Sequence, residues 1–294
     1  YARGGCVVSG AAVLRKLLAG SASEAVVVPG GGTPLEALAA EKAGFNAFYL
    51  SGYAVAAWRH GLPDIGLLGA RDTAEALTAV TRVSSLPVIC DADTGYGNEA
   101  SVHSTVRLLE SAGAAAIQFE DQTWPKRCGH MANKSVVDAD EAVKKIAAAV
   151  EARSNPDTVI IARTDSLAPL SIDEAIRRAK LFDSVGADVL FIDAPQSMEH
   201  LERIGSELSG SILMANMSES GLTPALSAAE FNRLGFGLIV FPTSALRMGM
   251  EQVTSIFRTL EKTSDSRGFA DQMMGLDDLN ELVGLESYNS IGQA

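Results

Sequence analysis

The sequence lacks any run of the roughly 18 apolar residues that a membrane crossing needs, since the longest candidate, residues 7–19, is broken by Ser9, Arg15 and Lys16. Neither a membrane span nor a signal peptide is expected. The chain opens at Tyr1 without a Met, as a processed or trimmed start would, and that opening carries no targeting message. Cysteine is scarce: Cys6, Cys90 and Cys128 make an odd number without zinc-ligand spacing, which excludes a disulfide framework and a structural zinc site and fits a reducing cytoplasm. Basic residues are outnumbered, 24 against 36 acidic, for a net charge of −12, which repels a phosphate backbone and argues against nucleic acid as a partner. No low-complexity linker interrupts the chain, and the glycine cluster Pro29-Gly30-Gly31-Gly32-Thr33 has neither the Gly-Lys-Ser/Thr ending of a phosphate-binding loop nor a dinucleotide fingerprint. It reads as a tight turn after a strand.

What is present is a hydrophobic chain, 47% apolar and 20% charged over 294 residues, able to bury a sizeable core. Short runs rich in Val, Ile, Leu and Phe recur at 25–28, 47–50, 87–90, 115–119, 158–162, 188–192, 212–215 and 237–241. Stretches of helical periodicity lie between them, at 36–43, 99–112, 138–152, 172–185 and 227–234, with Ser171 as an N-cap and Glu174 completing a capping-box pattern. Eight β/α units predict closure into a (β/α)8 TIM barrel, a fold that commonly occupies about 250 residues as one domain. The expected organisation is a single barrel domain over 1–294, with 245–294 as a C-terminal helical extension: a helix over 245–260 and a further amphipathic stretch at 269–285. An apolar tail beyond a complete barrel suggests packing on another subunit, and so a homo-oligomer.

Polar residues fall where the strands should end: Ser51, Asp91, Glu120 with Asp121, Arg163, Asp193, Asn216 and Thr243. In a barrel those ends share the face that carries active sites. Asp91, Asp93, Glu120 and Asp121 bring four carboxylates from neighbouring strands, with Asp64 in reach from a loop. Such a concentration calls for a cation, and hard oxygen donors suit Mg²⁺ or Mn²⁺. After the fourth strand, Trp124-Pro125-Lys126-Arg127-Cys128-Gly129-His130 gathers groups for acid–base chemistry, with Lys126, Arg127 and His130 favouring a Cys128 thiolate. Cys6 and Cys90 read as inert, and His60, His103 and His200 as structural.

On these residues the chain resembles the isocitrate lyase and phosphoenolpyruvate mutase superfamily. Phe119-Glu120-Asp121-Gln122 leading through Lys126-Arg127-Cys128-Gly129-His130 is similar to its signature. Tyr49-Leu50-Ser51-Gly52-Tyr53, Gly61-Leu62-Pro63-Asp64, Asp91-Ala92-Asp93-Thr94-Gly95, Ala162-Arg163-Thr164-Asp165 and Asn216-Met217 follow in family order. Within it, the chain is most similar to the methylisocitrate lyase and petal death protein branch. The resemblance implies a last helix exchanged between subunits, commonly in a tetramer, and a Mg²⁺ held directly by Asp93, with Asp64, Asp91 and Glu120 around its waters. It implies that Ser51, Gly52 and Arg163 grip the keto-acid part of a small carboxylate substrate, and that Gly129, His130 and Asn216 line the rest of the pocket. Tyr53, Asp193 and Thr243 complete the candidate substrate-binding set. Cys128 becomes the proton donor, with Tyr49, Lys126 and His130 as further candidate catalytic residues.

The reaction so implied is cleavage of a 2-hydroxy di- or tricarboxylate, of 2-methylisocitrate or 2-alkylmalate type, to a 2-keto acid such as pyruvate plus a carboxylate. Oxaloacetate hydrolysis or decarboxylation on the same site is the alternative. Phosphonate mutase chemistry is less favoured, because relatives of that kind generally lack the Cys-Gly-His loop, and a barrel kept only for binding would have lost its catalytic groups. Three departures from the family pattern bear on the substrate: Thr33 where many relatives carry Asp, Tyr53 in place of Gly, and Asp193 in place of Glu, which shortens that carboxylate's reach by one methylene.

Overall fold

A computed structural model describes residues 9–127, 134–219 and 221–291. Eight parallel strands close into a barrel in sequence order: β1 (Val26–Gly31), β2 (Phe48–Leu50), β3 (Val88–Asp91), β4 (Ala114–Glu120), β5 (Val159–Thr164), β6 (Val189–Ile192), β7 (Ile212–Asn216) and β8 (Phe236–Phe241). Closure is made by β1 against β8, with Val26 opposite Leu238 and Pro29 opposite Phe241. The intervening and flanking helices are α1 (Gly10–Ala19), α2 (Pro34–Lys42), the single turn α3 (Gly52–Ala54), α4 (Ala70–Thr81), α5 (Glu99–Ser111), α6 (Ala139–Ala152), α7 (Ile172–Ser184), α8 (Met198–Glu207), α9 (Ala228–Arg233), α10 (Ser244–Thr263), α11 (Leu276–Leu282) and α12 (Leu285–Asn289). The eight expected strands are all present, shifted by up to two residues at their ends, except that β1 runs three residues further than expected. None of the helices among the described residues is long and apolar enough to cross a membrane.

Side chains alternate across each strand, and the alternation sorts the core into two layers. Val28, Tyr49, Ile89, Ala116, Val159 and Ile161 belong to the cluster filling the barrel lumen. Their strand neighbours Phe48, Val88, Cys90, Ile117, Ile160 and Ala162 pack outward against the helices. Continuing the lumen parity to each strand's C-terminal end gives Ser51, Asp91, Glu120, Arg163, Asp193 and Asn216. The residues that project into the mouth of the barrel are thus set by the same period that builds the core.

The other mouth is closed by α1, whose Ala11, Leu14 and Leu18 recur at helical spacing and join the lumen cluster. Ser9 caps the helix, accepting from the Ala12 amide at 3.2 Å. Arg15 ties it down, donating to the Asp157 carbonyl at 2.8 Å and to Asp188 at 2.9 Å.

Several local expectations are corrected. Pro29, Gly30 and Gly31 continue β1, and only Gly32 and Thr33 turn into α2. A Cβ on Gly32 would lie 2.5 Å from the Ala54 carbonyl carbon, so glycine serves close backbone approach there. Ser171 caps α7, accepting from the Glu174 amide at 3.1 Å, but the Glu174 carboxylate turns to Arg177 and Arg178 and the capping box is not reciprocal. The stretch 269–285 is divided into a 3-10 turn (Ala270–Gln272) and α11, with Gly284 at φ +75 breaking the chain before α12.

Candidate functional site

At the C-terminal mouth lies a cavity of about 440 Å³, the size of a small-molecule site. Tyr49, Ser51, Tyr53, Asp64, Asp91, Glu120, Lys126, Arg163, Asn216 and Thr243 line it. All ten are residues the sequence singles out. Gly52 and Asp93 stand beside Asp91: the Gly52 amide donates to Asp91 Oδ2 at 3.3 Å, and a Cβ there would meet that oxygen at 3.2 Å. Asp193 sits behind Arg163, with no surface on the cavity. Cys128, Gly129 and His130 lie outside the described residues.

Two groups of charge divide the site. In the first, Asp64, Asp91, Asp93 and Glu120 surround Lys126, whose ammonium lies 2.5 Å from Asp64 and 2.8 Å from Asp93. Asp93 is held at φ +48, a conformation that costs a non-glycine residue about 1–3 kcal/mol. That geometry brings its own amide to 3.2 Å from Asp91 Oδ1, which also accepts from Gln118 at 3.3 Å. Among the described residues, Asp93 Oδ1 and Glu120 Oε1 are buried without a hydrogen-bond partner. The Lys126 ammonium forms an ion pair with Asp93 Oδ1. Burial, opposed by Lys126 and reinforced by Asp91 and Asp64, pushes the Asp93 carboxyl up to about 7. Glu120 is also raised by burial, against the pull of Arg163, and Lys126 is raised because Asp93, Glu120 and Asp64 outweigh its own burial.

These donors fit a hard divalent cation. Four carboxylates face one ammonium and a share of Arg163, and two buried oxygens are without donors. No three such groups converge on one point among the described residues; Mg²⁺ commonly takes one or two carboxylates directly and keeps its waters.

In the second group Asp165 and Asp193 each have two cations beside them, and Asp193 Oδ1 is likewise buried without a hydrogen-bond partner among the described residues. Arg163 grips Asp165 with two hydrogen bonds of 2.8 and 2.9 Å. It lies 3.1 Å from Asp193 and 3.3 Å from Glu120, and its guanidinium rests 5.2 Å over the Phe191 ring. The shorter Asp193 therefore still reaches Arg163. Asp121, counted with the metal-facing carboxylates in the sequence, points the other way. It accepts from Thr164 at 2.6 Å, from the Asp165 amide at 2.8 Å and from Arg178 at 3.0 Å, because residue 121 has the outward parity that Phe119 has.

Around these groups, Ser51 Oγ accepts from the Ala54 amide at 3.3 Å, leaving its proton to donate into the cavity. The turn continues into a π-helix (Val55–Arg59), a feature often found at functional sites. Tyr49 is buried, and burial together with Asp91 raises its phenol well above the usual range, so it holds its proton. Cys90 is likewise raised by burial and by Asp91 and Asp93, in keeping with an inert thiol.

The cavity also has walls that the motifs did not signal: Phe191, Met214 and Val240 from the strands, and Pro242, Ser218, Glu219 and Arg247 from the loops and α10. Arg247 follows Thr243 by one helical turn and donates to the Glu219 carbonyl at 2.5 Å. Its helical spacing from Thr243 was the signal that could have found it.

The profile of the phosphoenolpyruvate phosphomutase family matches residues 19–261. The chain belongs to this family. It is 39% identical to 2,3-dimethylmalate lyase of Eubacterium barkeri over 96% of both chains. It is 41% identical to the petal death protein of Dianthus caryophyllus, over 90% of this chain and 83% of that one. Among solved structures, oxaloacetate acetylhydrolase in complex with 3,3-difluorooxalacetate superposes with a TM-score of 0.92 at 31% identity, covering 97% of this chain and 96% of that one. Phosphonopyruvate hydrolase in complex with oxalate and Mg²⁺ superposes with a TM-score of 0.87 at 28% identity, covering 97% and 99%. The phosphoenolpyruvate phosphomutase family thus spans relatives whose names denote lyase, hydrolase and mutase reactions, and the TIM barrel is common to them.

Proposed function

We propose that this member of the family is a Mg²⁺-dependent carbon–carbon lyase that cleaves a 2-hydroxy dicarboxylate of the 2-alkylmalate type, or 2-methylisocitrate, to a 2-keto acid such as pyruvate and a saturated carboxylate. The observation that carries the reading is the pairing, across one cavity, of an under-compensated carboxylate cluster with a fixed guanidinium. The similarity to 2,3-dimethylmalate lyase supports the substrate class, and the Mg²⁺ and oxalate bound by phosphonopyruvate hydrolase support the metal.

Asp93 would ligate the cation, with Asp64, Asp91 and Glu120 accepting from its waters. Bound there, the cation would supply Lewis-acid polarisation of the substrate's 2-oxygen and neighbouring carboxylate. Arg163, the Ser51 hydroxyl and the Gly52 backbone hold that same carboxylate. Lys126 would partly balance the charge of Asp64 and Asp93. Tyr49 donates toward the 2-oxygen. Asn216, Thr243 and Arg247 are placed to bind the second carboxylate, and Tyr53 narrows the entrance beside Ser51. As the C2–C3 bond breaks, its electron pair passes to C3 and into the adjoining carboxylate. The 2-hydroxyl would give its proton to Glu120, whose buried carboxyl is raised and faces the cavity, leaving the keto oxygen, and a proton would reach C3 from Cys128, the role that its basic loop assigns to it, with His130 and Gly129 alongside.

The exposed apolar side chains of Met248, Phe257, Leu276, Tyr288 and Ile291 support reading 245–294 as an extension that packs in a homo-oligomer of dimeric or tetrameric size. A lactate dehydrogenase-coupled assay with 2,3-dimethylmalate, 2-methylisocitrate and oxaloacetate tests the function. Pyruvate from either branched hydroxy acid is the expected result. Pyruvate from oxaloacetate alone, or no pyruvate from any of the three, would overturn it.

A further inference from the structure

Behind Arg163, the side chain of Lys134 is buried, 3% exposed, with its ammonium 2.8 Å from Asp165 Oδ1 and 3.3 Å from Asp193 Oδ2. Asp165 and Asp193 are themselves fully buried and are the two carboxylates that Arg163 touches on its protein side. Each carboxylate therefore bridges the same two cations. Lys134 comes from the segment between β4 and α6, Asp165 follows β5 and Asp193 follows β6, so the cluster ties three consecutive β/α connections together beneath the cavity. Burial alone would push the Lys134 ammonium down, but Asp193 and Asp165 more than reverse this. Asp165 is lowered because Arg163 and Lys134 outweigh its burial.

We propose that Lys134 is a positioning residue that neutralises Asp165 and Asp193 so that Arg163 presents net positive charge to an anionic substrate. Without Lys134, Asp165, Asp193 and Glu120 would face one guanidinium, a buried cluster with a large surplus of negative charge in a setting where charges are weakly screened. An incoming carboxylate would then meet a guanidinium whose charge is already spent. With Lys134 present, two cations face the three carboxylates, and the guanidinium keeps charge to offer an incoming anion. Lys134 touches no cavity surface itself and acts through its neighbours, so its loss should appear in affinity before it appears in turnover.

The proposal rests on Arg163 as the anchor of the substrate's keto-acid carboxylate. The test measures calorimetric binding of oxalate in the presence of Mg²⁺ alongside KM and kcat. Lys134→Met should weaken oxalate and raise KM by at least about tenfold while kcat falls less. Lys134→Arg should remain close to wild type, and Lys134→Met combined with Asp193→Asn, which restores the original charge balance, should recover part of the lost affinity. Wild-type oxalate affinity in Lys134→Met, a loss confined to kcat, or a double variant no better than the single one would overturn the proposal. Should Lys134→Met not fold, the double variant carries the test, and its failure to fold with the charge balance restored would equally count against a role based on charge. A wild type that binds oxalate and cleaves nothing would sink the lyase reading and leave this test standing. A wild type that binds no oxalate would remove Arg163 as the anchor and the proposal with it.

Discussion

The two charge clusters of this barrel face each other across a few ångströms and are solved in opposite ways. Around Arg163, every carboxylate has a cation: Asp165 and Asp193 are shared between Arg163 and Lys134. Around Asp93, four carboxylates share Lys126, and two buried oxygens have no hydrogen-bond partner among the described residues. A cluster with its carboxylates paired to cations is a fixed scaffold. An under-compensated one is a site awaiting charge, and its cost in stability is justified only if something binds there. The strained Asp93 backbone points the same way, since strain persists where the surroundings impose it.

The largest effect expected from breaking this contrast is on the under-compensated side. Asp93→Asn should lower metal-dependent turnover by about a thousandfold, the several kcal/mol that Lewis-acid stabilisation supplies. The thermal midpoint in chelator should be unchanged or higher, because a repelling buried charge has been removed. Loss of activity accompanied by loss of fold would show that Asp93 is structural. The paired side should behave inversely. Asp121, buried against Arg178, Thr164 and the Asp165 amide, should cost about 3–5 kcal/mol of stability as Asp121→Asn, since it leaves Arg178 without its carboxylate. Denaturant unfolding reads that loss, with KM for the same substrate little altered.

A smaller effect is graded with pH. Asp93 is raised in the folded protein to about 7, so the metal-free fold favours its protonated form. Its contribution to stability is complete below the ordinary carboxyl value of about 4 and is lost as pH rises through about 7. Cation binding needs the carboxylate, so the apparent Mg²⁺ affinity should fall by up to about tenfold per pH unit below 7 and level off above it. Calorimetric Mg²⁺ titrations at pH 5.5, 6.5 and 8 check this, and a flat profile would contradict the placement of the metal at Asp93.

Much of the site was legible because barrel strands deliver one residue each to a common rim. Ser51, Asp91, Glu120, Arg163 and Asn216 were found from strand ends alone, and all five line the cavity. Asp121 was misplaced because the two carboxylates after Phe119 were counted together. Strand parity separates them, and the pairing of β4 with β3 shifts register between Val88 and Ile89, so counting from the strand start would also have failed. Lys134 carried no signal, since its partners Asp165 and Asp193 are distant in sequence and meet only when β5 and β6 pair. The α1 plug was not found from the sequence: residues 7–19 stood out only as an apolar run too broken to cross a membrane, and the helical spacing of Ala11, Leu14 and Leu18 does not say which mouth of the barrel the helix closes. The capping box at Ser171 failed for an energetic reason: Glu174 gains two guanidinium partners, Arg177 and Arg178, in place of one backbone amide.

The measurement that bears most directly on the account is pyruvate release from 2,3-dimethylmalate as Mg²⁺ is titrated into chelator-treated protein. The account predicts no release in chelator and a saturable rise with Mg²⁺. Full release with chelator present would contradict it.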